Sequence, residues 1–162
     1  MPRLIPALCV MFVLHPYVAA QPPKANRKPM VALIEKAIDR EADALLALYK
    51  HIHAHPELAF QEVQTADRLA KELRTLGFTV TEKVGGTGVV GVLANGTGPT
   101  IMVRADMDGL PIIEATGLPY ASKVLTRDAD GNPVGVMHAC GHDMNVTCLV
   151  GVARVLSSLK PH

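Results

Sequence analysis

The sequence predicts an α/β domain. Two observations carry the prediction: long stretches have apolar residues at helical spacing, and short β-branched runs separated by glycine-rich breaks lie between them. The composition agrees, because 49% of the 162 residues are hydrophobic and 19% are charged, as in an ordinary globular domain. The formal net charge of +1 gives no electrostatic reason to expect a nucleic acid partner.

The first twenty residues predict a cleavable secretory signal peptide. Arg3 precedes an apolar run, Leu4 to Leu14, and small residues, Val18-Ala19-Ala20, lead to a polar break. A membrane-skimming anchor is the alternative, but the run is shorter than the about 20 residues that span a bilayer. We therefore expect a secreted or periplasmic protein without a stable membrane span, in which residues 21–29 form a polar linker.

Three helices are predicted. The first runs from Met30 towards His55 and stops there, because a residue before proline avoids helical geometry. The second covers Glu62 to Leu76 and ends at a glycine, and the third covers Asp143 to Leu159. The polar segment His53–Glu57, taken alone, predicts a surface segment or a helix end stopped by proline.

The strands are predicted between the second and third helices. Phe78 to Val84 alternates apolar and polar residues, which is typical of a half-buried strand, and Gly85-Gly86 follows as a turn. Val89–Ala94 and Thr100–Arg104 are β-branched runs, and the Asn-Gly pair within Asn95–Gly98 predicts a tight hairpin between them.

Two acidic clusters follow the last of these strands. Asp106 and Asp108 come where the predicted strand ends, which is a common place for active-site carboxylates, although a solvated turn also fits such a pair. Asp128–Asn132 lacks the length and the terminal glutamate of a calcium-binding loop. We therefore predict that it is a hairpin turn.

The segment Met137–Asn145 concentrates metal-binding chemistry in nine residues. Cys140 and His142 are one glycine apart at the predicted start of the third helix, where the helix dipole favours a thiolate. Asp143 can cap that helix or accept a hydrogen bond from a ligand histidine. Two ligands alone do not make a site, and a buried cysteine beside a neutral histidine is the alternative.

Three ordered segments carry a resemblance to a known family. The chain resembles the amidohydrolase branch of metallopeptidase family twenty, which contains hippurate hydrolase, N-acyl-amino-acid amidohydrolase and auxin-conjugate hydrolase. The similarity extends from about Ala44 to Lys160. The matching segments are His55–Leu58 with Glu62, Arg104–Ile112 with Glu114 and Thr116–Tyr120, and Met137–Met144.

The resemblance implies a three-layer zinc-peptidase-like catalytic domain. Residues 30–162 correspond to its N-terminal part only, so the domain is incomplete and the lid domain is absent. Family members hydrolyse amide bonds in N-acyl amino acids or similar small substrates, and they use one or two divalent metal ions, for which zinc or manganese is expected. The general base of the family lies beyond His162, so we expect the chain to be a truncated, inactive piece. Its oligomeric state is not predicted.

The resemblance also assigns residue roles. Cys140 and His142 correspond to metal ligands, while Asp106 and Asp108 occupy the catalytic acidic positions. His138 and Asp143 correspond to supporting residues. The chain departs from the family at Asn145, where a second histidine is usual, and an amide there implies weakened activity or altered substrate handling.

Two other functional hypotheses remain open. In a cysteine-dependent hydrolase, Cys140 would be the nucleophile, and His138 or His142 would be the base. The chain is alternatively a non-catalytic fragment or remnant of a metal-dependent hydrolase, with an apolar sheet edge that lacks its partner strands.

Overall fold

The computed structural model describes residues 27–160; the predicted signal peptide and most of the linker lie outside the described residues. The fold is mixed α/β, as predicted. The elements in chain order are α1 (Arg27–Ala54), α2 (Val63–Thr75), β1 (Thr79–Val84), β2 (Gly88–Val92), β3 (Leu125–Arg127), β4 (Pro133–Gly135) and α3 (His142–Leu159).

The three helices confirm the periodicity argument. α1 ends at Ala54, two residues before Pro56, and α2 is followed by Gly77 with φ of +82°. α3 begins one residue before the predicted start, directly after Gly141, which has a left-handed conformation with φ of +80°. A side chain at that φ would be strained, so glycine suits this turn into the helix.

The strands form two antiparallel hairpins. β1 pairs with β2 across the Gly85-Gly86 turn, with Thr79 opposite Val92. β3 pairs with β4 across the predicted turn at Asp128–Asn132, where Asp128 Oδ1 accepts hydrogen bonds from two backbone N–H groups, those of Asp130 and Asn132. The predicted turn is therefore confirmed.

The predicted hairpin at Asn95–Gly98 is wrong. β2 pairs with β1 instead, and Thr100–Arg104 forms no strand with any segment of residues 27–160. The side chains of Ile101 and Met102 are 82% and 86% exposed. A β-branched run forms a strand only where a neighbouring strand accepts its backbone hydrogen bonds, and the described residues supply none.

The core lies between the helices. α1 packs along α3, and the buried side chains at their contact include Leu48, Ile52 and Val150. α2 packs on β1 and β2 and contributes Leu69 to the same core. Ala105 and Met107 pack against this cluster, which brings the acidic segment down onto the helices.

Candidate active site

Backbone hydrogen bonds join the three motif segments. The Gly109 N–H donates to the Glu57 carbonyl at 2.7 Å, and Leu110 and Met137 exchange hydrogen bonds of 2.8 and 3.0 Å. A Cβ at Gly109 would lie only 2.9 Å from carbons of Pro56 and Val136. Glycine is therefore required where the acidic segment passes between the other two segments.

Asp108 and His142 contact each other directly. His142 Nδ1 lies 3.0 Å from the backbone carbonyl of Asp108 and 3.0 Å from its Oδ1. Donation of the Nδ1 proton to this pair of acceptors leaves the lone pair on Nε2, which is how metal-ligating histidines are usually oriented. The structure thus brings one predicted acid and one predicted ligand together across 34 residues of sequence.

Cys140, the other predicted metal ligand, and Asp106, the other predicted catalytic acid, are exposed to solvent. Cys140 is an exposed free thiol that precedes the left-handed Gly141 at the start of α3. Asp106 is also exposed and forms an ion pair with Arg104. Asp106 and Asp108 are therefore in different environments, since no strand continues through them to align their side chains.

His138 is buried, with only 4% of its surface exposed. Neither ring nitrogen has a hydrogen-bond partner of good geometry within residues 27–160, although the Asp108 backbone lies close enough to act on the pKa of His138. Burial lowers the pKa of His138 below its ordinary value, although the nearby carboxylate of Asp143 acts in the opposite direction. A neutral imidazole with both nitrogens unsatisfied is a costly arrangement, so a polar group is expected to complete it.

Asp143 takes part in a buried relay of three ionisable side chains, Asp143, His53 and Glu114. His53 Nδ1–H donates to Asp143 Oδ2 at 2.7 Å, and His53 Nε2–H donates to Glu114 Oε1 at 3.0 Å. The three side chains are at most 7% exposed. The relay connects the end of α1, the segment after the acidic motif, and the start of α3.

The electrostatics of the relay favour a charged histidine. Burial alone would lower the pKa of His53, but the hydrogen bonds to Asp143 and Glu114 outweigh it and raise the pKa above its ordinary value. Burial likewise opposes ionisation of Glu114, whose pKa is nevertheless lowered by hydrogen bonds from Thr116, Ser122 and His53. The raised pKa of His53 and the lowered pKa of Glu114 both favour a protonated imidazole beside an ionised glutamate.

Of the two alternatives predicted for His53–Glu57, the helix end stopped by proline is confirmed, because α1 ends at Ala54, and the surface segment is wrong for His53 and Pro56. His53 and Pro56 are buried, and Tyr49 and Tyr120 place their ring centroids 5.7 and 5.3 Å from that of His53. A role for His53 was not predictable from its neighbours in sequence, because its two acidic partners are 61 and 90 residues away in the chain. The available signal was an imidazole adjoining the apolar face of a helix.

Glu57 and Glu62, from the first of the three matching segments, accept hydrogen bonds within the fold. Both carboxylate oxygens of Glu57 accept backbone N–H groups in the first turn of α2, from Gln64 at 3.0 Å and Thr65 at 2.8 Å. Glu62 is buried and accepts a hydrogen bond from Thr87 Oγ1 at 2.7 Å. This segment therefore orients α2 beside the site.

The side chains fit part of a metal centre. His142 has Nε2 free of the contacts to Asp108, Cys140 has an exposed thiol, and the buried ring nitrogens of His138 lack well-formed hydrogen bonds. Within residues 27–160, however, no group of three or more His, Cys, Asp or Glu side chains could hold one ion together. The described residues thus supply two candidate ligands, and a catalytic ion usually takes three.

Comparison with known proteins points in the same direction. Residues 102–162 match the model of peptidase family M20/M25/M40. The hippurate hydrolase of Campylobacter jejuni is 47% identical over 66% of this chain and 26% of its own length. The N-acyl-L-amino acid amidohydrolase of Geobacillus stearothermophilus is 38% identical over 78% of this chain and 32% of its own. The chain spans between a quarter and a third of the length of these curated relatives.

A solved structure extends the likeness to the fold. The YXEP protein of Bacillus subtilis, described as a dinuclear metal binding peptidase from the M20 family, matches with a TM-score of 0.62 and 34% identity. The match covers 80% of this chain and 32% of that protein. The described residues thus have the fold of part of an M20 catalytic domain. None of the helices within residues 27–160 is long and apolar enough to cross a membrane.

Proposed function

We propose that the chain belongs to peptidase family M20/M25/M40, whose model matches residues 102–162, and that residues 30–162 are the N-terminal part of a metal-dependent amidohydrolase domain. The substrate class that we propose is N-acyl amino acids and similar small amides. Its support is that relatives are named hippurate hydrolase and N-acyl-L-amino acid amidohydrolase. The observation that carries the proposal is the contact of His142 Nδ1 with Asp108, together with the exposed thiol of Cys140 two residues before His142.

In this proposal Cys140 and His142 hold the metal. Zinc is favoured by a thiolate ligand, while imidazole and carboxylate ligands also accept manganese. When bound, the ion supplies Lewis-acid polarisation of the amide carbonyl and lowers the pKa of a bound water. Asp108 orients His142, and the relay through His53 holds Asp143 and with it the first turn of α3.

The 162-residue chain by itself is proposed to be inactive and to bind metal weakly at this site. The support is that no group of three candidate ligands occurs within residues 27–160. A non-catalytic fragment of such an enzyme is therefore the second candidate function. Purified chain with zinc or manganese is expected to show no hydrolysis of hippurate; measurable turnover would overturn the inactivity.

A chimera tests the functional proposal directly. The matching segment of the Campylobacter jejuni hippurate hydrolase is replaced by that of this chain, and bound metal and hippurate hydrolysis are measured. We expect metal-dependent turnover, which the Cys140→Ser variant reduces by about a hundredfold or more together with the metal content. A folded chimera that binds no metal, or one in which Cys140→Ser changes nothing, would contradict the proposal.

The same chimera separates the metal mechanism from a cysteine nucleophile. Chelator treatment followed by re-addition of zinc is expected to abolish and restore turnover. Sensitivity to thiol alkylation without sensitivity to chelators would support Cys140 as a nucleophile instead. Asn145→His restores the residue usual in the family, so we expect higher turnover in this variant and no gain in a matched exposed Asn132→His control.

Export to the periplasm or the cell exterior is also proposed, on the charge and apolar pattern of residues 1–20 alone. Mass spectrometry of the exported mature protein is expected to find its N-terminus near Gln21. An uncleaved N-terminus on intracellular protein would contradict this.

A further inference from the structure

We infer that His51 and His55 form a binding site for a late first-row divalent metal ion, separate from Cys140 and His142. The two histidines are four residues apart at the C-terminal end of α1, where positions i and i+4 are neighbours on one face. Their ring centroids are 4.5 Å apart and their planes are inclined by 31°. Both side chains are exposed, so an ion can reach them from solvent.

A hydrogen bond fixes the tautomer of His55. Its Nδ1–H donates to the His51 backbone carbonyl at 2.7 Å, which places the lone pair on Nε2. Donation from the second ring nitrogen to a backbone carbonyl is the contact that orients histidine ligands in protein metal sites. The same bond satisfies one of the carbonyls left unpaired at the end of a helix.

The separation of the rings suits chelation. Two nitrogens on one ion, each bound at 2.0–2.1 Å, lie at most about 4.2 Å apart. Exposed side chains whose centroids are 4.5 Å apart reach this separation by small rotations of the rings. His53 does not compete for the ion, because its ring lies on another face of α1 and both its nitrogens are occupied in the relay.

The charges near the pair allow metal binding at neutral pH. Partial desolvation of the exposed ring, His55 and Arg68 together lower the pKa of His51, which favours the neutral imidazole that a metal ligand must have. The Arg68 cation opposes a metal ion, but its Nε lies 3.4 Å from Glu72 Oε1, which offsets part of its charge. Imidazole pairs favour copper, nickel and zinc, and water completes the coordination.

Nickel binding to the 162-residue chain tests the site. The affinity is measured for wild type, for His51→Gln and for Cys140→Ser combined with His142→Asn. We expect the double variant to keep the wild-type affinity within about twofold and His51→Gln to weaken it about tenfold or more. Nickel is also expected to raise the Tm of wild type and of the double variant but not that of His51→Gln, because a ligand stabilises only the state it binds.

A second variant keeps the test independent of one substitution. His55→Gln is expected to lose nickel binding as well, while far-ultraviolet circular dichroism shows that α1 remains folded. The inference is overturned if folded His51→Gln and His55→Gln both bind nickel as wild type does. It is equally overturned if the Cys140 and His142 substitutions remove the binding. Neither outcome depends on the proposed hydrolase activity.

Discussion

At the scale of single residues, His53 forms hydrogen bonds to two carboxylates that lie in different parts of the chain. With a proton on both ring nitrogens His53 can donate to both carboxyl groups, and its raised pKa favours this imidazolium form in the folded state. Three buried ionisable side chains are tolerable only because each is paired, and removal of the central one leaves two carboxylates uncompensated. This arrangement links stability to pH.

We expect His53→Gln to lower the free energy of unfolding by about 3 kcal/mol at pH 6. The folded-state pKa of His53 is raised above the ordinary 6.5, so its contribution is fully present below about pH 6.5 and is lost as the pH rises through the raised value. Urea denaturation from pH 5.5 to 9 measures the difference between wild type and variant, which is expected to shrink with increasing pH.

The difference between the two proteins is the quantity to follow. Because the folded-state pKa of His138 is lowered, the stability of the wild type decreases as the pH falls below about 6.5. This change is opposite in direction to the one expected from His53, so the wild-type curve alone does not isolate His53. Leu46→Gln, at a 49% exposed position of α1, is the matched control, because it introduces a glutamine without removing an ionisable group, and its difference from wild type is expected not to depend on pH. A His53→Gln difference that stays constant across the range would contradict a charged relay.

Residues whose chemistry is local in sequence could be singled out before the fold was known. The segment containing Cys140 and His142 was recognisable because its donors are adjacent, and their metal-ligand roles remain predictions. His53, Glu114 and Glu57 were not assigned their contacts, because only the folded chain places them beside their partners. Spacing along a helix or strand reports which residues share a face, and it does not report which distant segment covers that face.

At the scale of elements, α2 is capped from a distance. Its N-cap residue, Glu62, makes no capping bond, and Glu57 accepts the N–H groups of Gln64 and Thr65 in its place. Glu57→Ala is expected to lower the free energy of unfolding by about 1–2 kcal/mol, because these donors lose a charged acceptor near the positive end of the helix dipole. Urea denaturation at pH 7 provides the measurement.

Two comparison variants define the cap. Glu57→Gln keeps one acceptor oxygen and is expected to lose less than Glu57→Ala. Glu35→Ala removes an exposed carboxylate from α1 and is expected to change stability by less than about 0.5 kcal/mol. Equal losses for Glu57→Ala and Glu35→Ala would show that the contact contributes no capping energy.

Helix bounds were predictable because an amphipathic repeat and a terminating proline or glycine are local signals. α1, α2 and α3 agree with the predicted limits to within a few residues. The pairing of strands was less predictable, since the Asn95–Gly98 turn signal did not determine which strand β2 joins. Strand pairing depends on which segment is available as a neighbour, and a short window of sequence does not contain that information.

At the scale of the whole molecule, Arg154 ties the three helices together. Its guanidinium donates from α3 to Glu41 of α1 at 2.6 Å and to Glu72 of α2 at 2.9 Å. Burial alone would lower its pKa, but these two carboxylates raise it, so the side chain remains a cation between two anions. These ion pairs therefore join α1, α2 and α3. By contrast, Ile101 and Met102 are 82% and 86% exposed and pack little against the rest of the described residues.

The segment 100–104 is expected to govern the solution behaviour of the chain. Ile101, Met102 and Val103 are adjacent and exposed, and the backbone beside them pairs with no strand within residues 27–160. An apolar run with unpaired backbone groups is a template for association. We expect Met102→Lys to weaken self-association about tenfold, because the methionine that would be buried between associated chains is replaced by a charged side chain.

Sedimentation of the purified chain over a range of concentrations measures this association. Met30→Lys is the matched control, since it introduces the same charge at an exposed methionine of α1, 53% exposed, away from the unpaired run. The expected order is strong association for wild type and Met30→Lys and weak association for Met102→Lys. If both substitutions weakened self-association equally, the effect would be due to net charge. If neither weakened it, the interface between associated chains would lie elsewhere on the surface. Only the expected result, in which Met102→Lys weakens association and Met30→Lys does not, connects self-association to residues 100–104.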